Sequence, residues 1–151
     1  ISVGAYHVLE LDTDGTKQAE HFINAVGEDL SGRLIPAVEV RLRGLYRLLP
    51  PDYYEAADNL ADFCDRIEKQ YGVRPIIYCT ERTYKNIVAS DSRFNKDKIW
   101  YESLFSKPDE DMDWTFWTYT NRVKFSFYES GEYLHMTVFN GSEDDFKKLI
   151  L

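Results

Sequence analysis

The chain has 151 residues, a formal net charge of −8, 44% hydrophobic residues and 15% aromatic residues. That length supports a single domain with a core of its own, and 11 Tyr, 9 Phe and 3 Trp exclude a disordered chain. The acidic balance argues against nucleic acid as a partner, because phosphate backbones are held by basic patches.

Residues 2–9, SVGAYHVL, form a short apolar run that predicts a strand. TKQAEHFINAV (16–26) predicts a helix, with Ala19, Phe22, Ile23 and Val26 on one face and Gly27 as its stop. LIPAVEV (34–40) reads as a second strand. The longest helix is expected from about Pro51 to Tyr71, with Asp52 and Glu55 as a capping box and Gly72 as the C-terminal stop. Ala56, Ala57, Leu60, Phe63, Cys64, Ile67 and Tyr71 repeat along it at helical spacing.

RPIIYCT (74–80) is then a strand and ERTYKNIVAS (81–90) a short helix. KIWYESL (98–104), WTFWTYT (114–120) and GEYLHMTVFN (131–140) are three further strands, and SEDDFKKLIL (142–151) is a closing helix capped by Ser142. Alternation of strands and helices implies parallel βαβ units, in either an open doubly wound sheet or part of a (β/α)8 barrel. No Gly-x-Gly-x-x-Gly follows the first strand and no P-loop is present, which weakens a nucleotide-binding reading. No apolar run approaches membrane-spanning length, and no signal peptide is seen. The chain opens at Ile1, almost directly in a strand, and reads as an excised or processed piece.

Cys64 lies in a helical pattern and Cys79 in a strand pattern, with no metal or redox spacing between them; they read as buried thiols, and a disulfide stays open. The second strand ends in Glu39 and Arg41, two residues apart and therefore on one side of the strand. Strand ends are where barrels and open α/β sheets place their chemistry. An arginine beside Glu39 favours the ionised carboxylate and makes it a poorer general acid. A structural ion pair is the alternative reading of the same two residues.

VGAYHVL (3–9), QAEHFI (18–23), IPAVEV (35–40), YGVRPIIYCTE (71–81), DWTFWTYTNR (113–122) and VFNGSEDDF (138–146) occur in that order and span nearly the whole chain. Together they resemble glycoside hydrolase family 25, the lysozymes (N-acetylmuramidases) that cleave bacterial peptidoglycan. The resemblance implies a (β/α) TIM-type barrel, irregular or partial, with its site at the C-terminal strand ends. It implies a peptidoglycan or related glycan as partner, no metal or organic cofactor, no nucleic acid, no membrane, and a secreted or cell-wall location. The six strands correspond to the last six of the family barrel, so 1–151 is expected to be one family-25-like domain lacking the first two βα units. A homo-oligomer or a complementing segment would then close the open edges.

The departures bear on function. The resemblance implies two further βα units ahead of VGAYH, one carrying an essential aspartate, and this chain is expected to lack them. The family Asp-x-Glu falls on Glu39 and Arg41, and its Asp-x-Asn on His135 and Thr137. Trp-Gln-Tyr has become Trp117-Thr118-Tyr119, and Glu102 stands where many relatives carry a basic residue. Arg41 and Glu102 therefore look like a charge exchange that keeps an attraction while losing catalysis.

Glu39 is left as the catalytic candidate. His7, Arg41, Tyr78, Glu102, Trp117, Tyr119 and His135 are the substrate-binding candidates. Tyr6 and Trp100 join Tyr78, Trp117 and Tyr119 as aromatics suited to stacking on sugars, with core packing as the commoner use. His7, Glu39 and His135 are two imidazoles and a carboxylate at strand ends, yet no local metal spacing links them, and no metal site is assigned. Two functions compete. One is an active muramidase working through Glu39. The other is a chain with hydrolysis reduced or lost, either a glycan-binding pseudoenzyme or an engineered fragment.

Overall fold

The computed structural model describes residues 2–124 and 133–151. Six strands form one sheet in sequence order: β1 (Tyr6–Val8), β2 (Ala37–Val40), β3 (Ile76–Thr80), β4 (Ile99–Glu102), β5 (Phe116–Val123) and β6 (Leu134–Phe139). The sheet is open: β1 pairs only with β2 and β6 only with β5 among the described residues. β1 to β5 run parallel, as the alternation of elements predicted.

β6 departs from that expectation and runs antiparallel to β5. Too little chain separates Val123 from Leu134 for a crossover, which takes a dozen residues or more, whereas an antiparallel return needs only a turn. The strand expected over 131–140 begins on residues outside the described set; its described part is β6.

Helices α1 (Gly15–Val26) and α2 (Tyr53–Tyr71) pack on each other and on one face of the sheet. Asp14 caps α1 through Lys17 N, and Gly27 ends it at φ 99°. Asp52 caps α2 by accepting from Tyr54 N and Glu55 N, and left-handed Gly72 stops it. The core lies between these helices and the sheet. Leu60, Phe63, Cys64 and Ile67 of α2 meet Val38, Val40, Ile77 and Cys79 of the strands, all buried. Each large side chain there contributes about 1.5–3 kcal/mol through burial. Both cysteines are free thiols in this layer.

The expected helix over 81–90 is one α turn, α3 (Glu81–Thr83), followed by a π-helical turn at Tyr84–Val88. Fully buried Thr83 fixes this segment to the end of β2, its hydroxyl donating to Val40 O at 2.8 Å. The closing helix is also shorter than expected: α4 (Glu143–Lys147), capped by Ser142. Beyond it Leu149 is held by Ile35 N–H donating to its carbonyl at 2.8 Å. Phe146 and Leu149 cover the N-terminal ends of the strands together with Ile35, Ile76 and Phe139.

Candidate functional site

The sheet face turned away from α1 and α2 carries side chains in rows set by the strand register. One row runs Glu39, Tyr78, Trp100, Phe116, Phe139 across β2 to β6. The next row towards the C-terminal ends runs Thr80, Glu102, Thr118, Thr137. Arg41 continues β2 by two residues from Glu39, which brings it level with Thr80. Arg41 and Glu102 are thus two strands apart, about 9.6 Å of backbone, and their long side chains meet over the small Thr80.

The meeting is tight. Arg41 donates from Nε to Glu39 Oε1 at 2.7 Å, and through its two terminal nitrogens to Glu102 at 3.1 and 2.5 Å. It also donates to the Tyr78 hydroxyl at 3.1 Å, and that hydroxyl donates in turn to Glu102. Arg43 adds a second guanidinium on Glu39 Oε1, at 3.0 Å. Glu39 and Glu102 are both buried.

Burial pushes Glu102 upward, but hydrogen bonds from Arg41 and Tyr78 outweigh it and hold the carboxyl below its ordinary range. Burial also works against the charge of Arg41, and the hydrogen bond and charge of Glu102 overcome it, raising the guanidinium further. Tyr78 is raised by burial first and by Glu102 second, so the phenol stays protonated and donating.

A cavity of about 970 Å³ opens over this cluster, lined by Tyr6, Glu39, Arg41, Tyr78, Trp100 and His135 among others. A second, apolar cavity of about 610 Å³ continues down the same face between Trp100, Phe116, Phe139 and Leu149. Tyr78 and Trp100 lie with ring centroids 4.7 Å apart, and Tyr6 is exposed at the edge. Trp100 is oriented by a short chain of hydrogen bonds: its Nε1 donates to Thr118 Oγ1 at 2.9 Å, and Thr118 and Thr137 hydroxyls meet at 2.7 Å.

Of the residues singled out from sequence, Glu39, Arg41, Tyr78, Glu102 and His135 come together on this face. Three do not. His7 alternates with Tyr6 and points to the helices, stacking on Phe63 with centroids 5.0 Å apart and bonded to Gln18 Oε1 at 3.1 Å. Trp117 is on the helix side as well, packed against the main core, with Nε1 donating to Ser103 O at 3.0 Å. Tyr119 neighbours Trp117, centroids 5.7 Å apart, outside the cavity lining. With His7 turned away, no three His, Cys, Asp or Glu side chains among the described residues converge to hold a metal ion.

Sequence reading missed the basic side of the cavity. Arg43, Arg47 and Arg82 line it beside Arg41. The signal was the recurrence of arginine in RLRGLYR (41–47), just past a strand end.

Residues 1–126 match the family described as glycosyl hydrolases family 25. A family 25 glycosyl hydrolase from Bacillus anthracis superimposes with TM-score 0.85 at 31% identity, covering 100% of this chain and 70% of that one. A bacterial lysozyme from Streptomyces coelicolor gives TM-score 0.77 at 23% identity, covering 97% and 70%. The spore cortex lytic enzyme of Clostridium perfringens gives 0.71 at 20% identity, covering 94% and 50%. No curated protein matches the sequence.

Proposed function

The chain belongs to glycosyl hydrolase family 25, and we propose that its concave face binds bacterial peptidoglycan or a related glycan while native muramidase hydrolysis is reduced or lost. The observation that carries this reading is Arg41, whose guanidinium bridges Glu39 and Glu102. Glycoside hydrolysis commonly uses one carboxylic acid to protonate the leaving oxygen and a second carboxylate as nucleophile or base. Here one oxygen of Glu39 accepts from two guanidiniums, and Glu102 accepts from Arg41 on both of its oxygens. Hydrogen bonds from a guanidinium favour the ionised form of a carboxyl, and here they hold Glu102 below its ordinary range, which makes it a poor proton donor.

Binding keeps what it needs. Tyr6, Tyr78 and Trp100 present aromatic surface to an open cavity of about 970 Å³, with the apolar-plus-polar lining typical of ligand sites. Among the described residues β1 has no partner on its outer edge, where a second copy of the chain or a separate segment would pair; mass in solution, with and without an added segment, tests that part of the proposal.

The main test sets a turbidity-clearing assay on bacterial cell walls beside a pull-down on purified peptidoglycan. The expected result is retention on peptidoglycan with little or no clearing. Clearing that disappears in Glu39→Gln overturns the loss of hydrolysis, and retention on no glycan overturns the binding reading.

A further inference from the structure

The cavity inverts the charge of the molecule around it. The chain as a whole carries −8, yet Arg41, Arg43, Arg47 and Arg82 all line this one concavity. Glu39 and Glu102 offset two of the four positive charges, and both are bonded by Arg41 or Arg43. Arg47 and Arg82 have no carboxylate within ion-pair distance among the described residues. Both are exposed, and they sit together at the mouth: Arg82 donates to the backbone carbonyl of Arg47 at 3.2 Å. That bond uses one terminal nitrogen of Arg82 and leaves its other donors, and the whole Arg47 fork, free to face the opening.

Two unneutralised guanidiniums at a concave mouth have a definite chemistry. The planar fork matches carboxylate and phosphate oxygens two at a time. A cleft with low-dielectric walls focuses the field of such charges and draws in anions, even on a protein of opposite net charge. Lysines would give a diffuse positive surface; arginines give directional oxyanion contacts.

We propose that the cavity selects a glycan bearing anionic groups, with Arg47 and Arg82 gripping a carboxylate or phosphate at the mouth while the sugar lies over Tyr78 and Trp100. The sugar part rests on the glycan-binding reading above; the anion part rests on the arginines alone. Carboxylate and phosphate share the oxyanion chemistry, so the source is separated by the probes.

Isothermal titration uses a neutral β-1,4-linked N-acetylglucosamine hexamer, a hexagalacturonate with a carboxylate on each ring, and a short poly(glycerol phosphate), each at low and at physiological salt. At least one anionic probe is expected to bind about tenfold or more tighter than the neutral hexamer at low salt, with the difference shrinking as salt rises. Whichever anionic probe gains more identifies the preferred oxyanion. The double variant Arg47→Glu/Arg82→Glu is expected to abolish that gain and leave both the neutral affinity and the melting temperature unchanged, since both side chains are exposed. Equal affinity for neutral and anionic probes, or an anionic gain that survives the double variant, overturns the proposal. Neutral binding without anionic binding overturns it and leaves the glycan reading standing. Binding of poly(glycerol phosphate) alone, with neither sugar hexamer bound and no retention on peptidoglycan, supports the anion site and overturns the glycan reading.

Discussion

Replacing Arg41 with Met keeps the length of the side chain and removes the charge that Glu39 and Glu102 share. Both carboxylates then stay buried, Glu102 with Tyr78 as its remaining donor from that cluster and Glu39 with Arg43. Removing one partner of a buried pair costs about 3–5 kcal/mol. The Arg41 side chain is 29% exposed against 8% for Glu102, which places the expected loss at the lower end, about 3 kcal/mol. Glu102→Gln is milder, about 2 kcal/mol, because Arg41 still has Glu39 as a partner. If the two residues act as one unit, Arg41→Met/Glu102→Gln loses about 3 kcal/mol rather than 5, a coupling of about 2 kcal/mol. For a domain of this size the single Arg41 variant should melt roughly 6–12 °C lower.

Urea unfolding followed by tryptophan fluorescence measures all four corners of the cycle, and pH adds a second check. Glu102 is held below its ordinary range in the folded chain. Its contribution is therefore complete above the unfolded value of about 4.3 and is lost as pH falls through the lower folded value. The parent chain should lose this stability in acid. Arg41→Met has no such contribution to lose, and protonation relieves its Glu102, so the gap between the two proteins narrows from pH 7 to pH 3. A gap under about 1 kcal/mol at pH 7, or one that widens in acid, refutes the bridged cluster.

Gly15→Ala should destabilise strongly despite the better helix propensity of alanine, because a Cβ at Gly15 would lie 1.8 Å from Asn59 O where α1 meets α2; a fall of at least about 2 kcal/mol in urea unfolding is expected. Thr118→Val leaves the Trp100 indole N–H without its acceptor; about 1–2 kcal/mol is lost, with a shifted tryptophan emission maximum. Arg74→Met strips the guanidinium that joins Asp65 and Glu68 of α2 to Asp97, whose side chain is 2% exposed; about 3 kcal/mol is lost, against no change for the exposed pair partner in Lys85→Met. Burial raises both Cys64 and Cys79, so Ellman's reagent should titrate neither thiol in the native chain and both in urea.

Periodicity made the scaffold legible. The apolar stripe of α2, with Asp52 before it and Gly72 after it, is a local pattern that tertiary packing only confirms. The direction of β6 is a different kind of fact. An alternating stretch specifies a strand but not its polarity, which is decided by how little chain links it to β5. The same limit explains His7. Tyr6 and His7 are adjacent on one strand, so one of them must face the cavity and the other the helices. Nothing within β1 says which face is concave. The answer comes from α1, where Phe22 and Gln18 occupy the His7 side, and from Phe63 of α2. Trp117 was misplaced for the same reason, since its strand also has an apolar residue on each face.

The ion cluster shows where resemblance reaches further than pattern. Glu39 and Arg41 announce themselves as a pair by strand spacing alone. Glu102 lies 61 residues beyond Arg41, and no periodicity connects them. Only the exchange of sign at two family positions suggested that they meet, and the register from β2 to β4 explains how. The rim arginines fall outside both methods. Arg43 and Arg47 follow the end of β2 and Arg82 the end of β3, and they occupy no position that the resemblance assigns a role. What collects them is strand order: β2 and β3 are neighbours, so the two segments that follow them line one opening. A net charge of −8 hides such a patch, because a sum over the chain says nothing of where the minority charges gather. An acidic composition argues against an extended phosphate backbone, which needs a broad basic surface. It does not argue against a short oxyanion, which two guanidiniums are enough to engage.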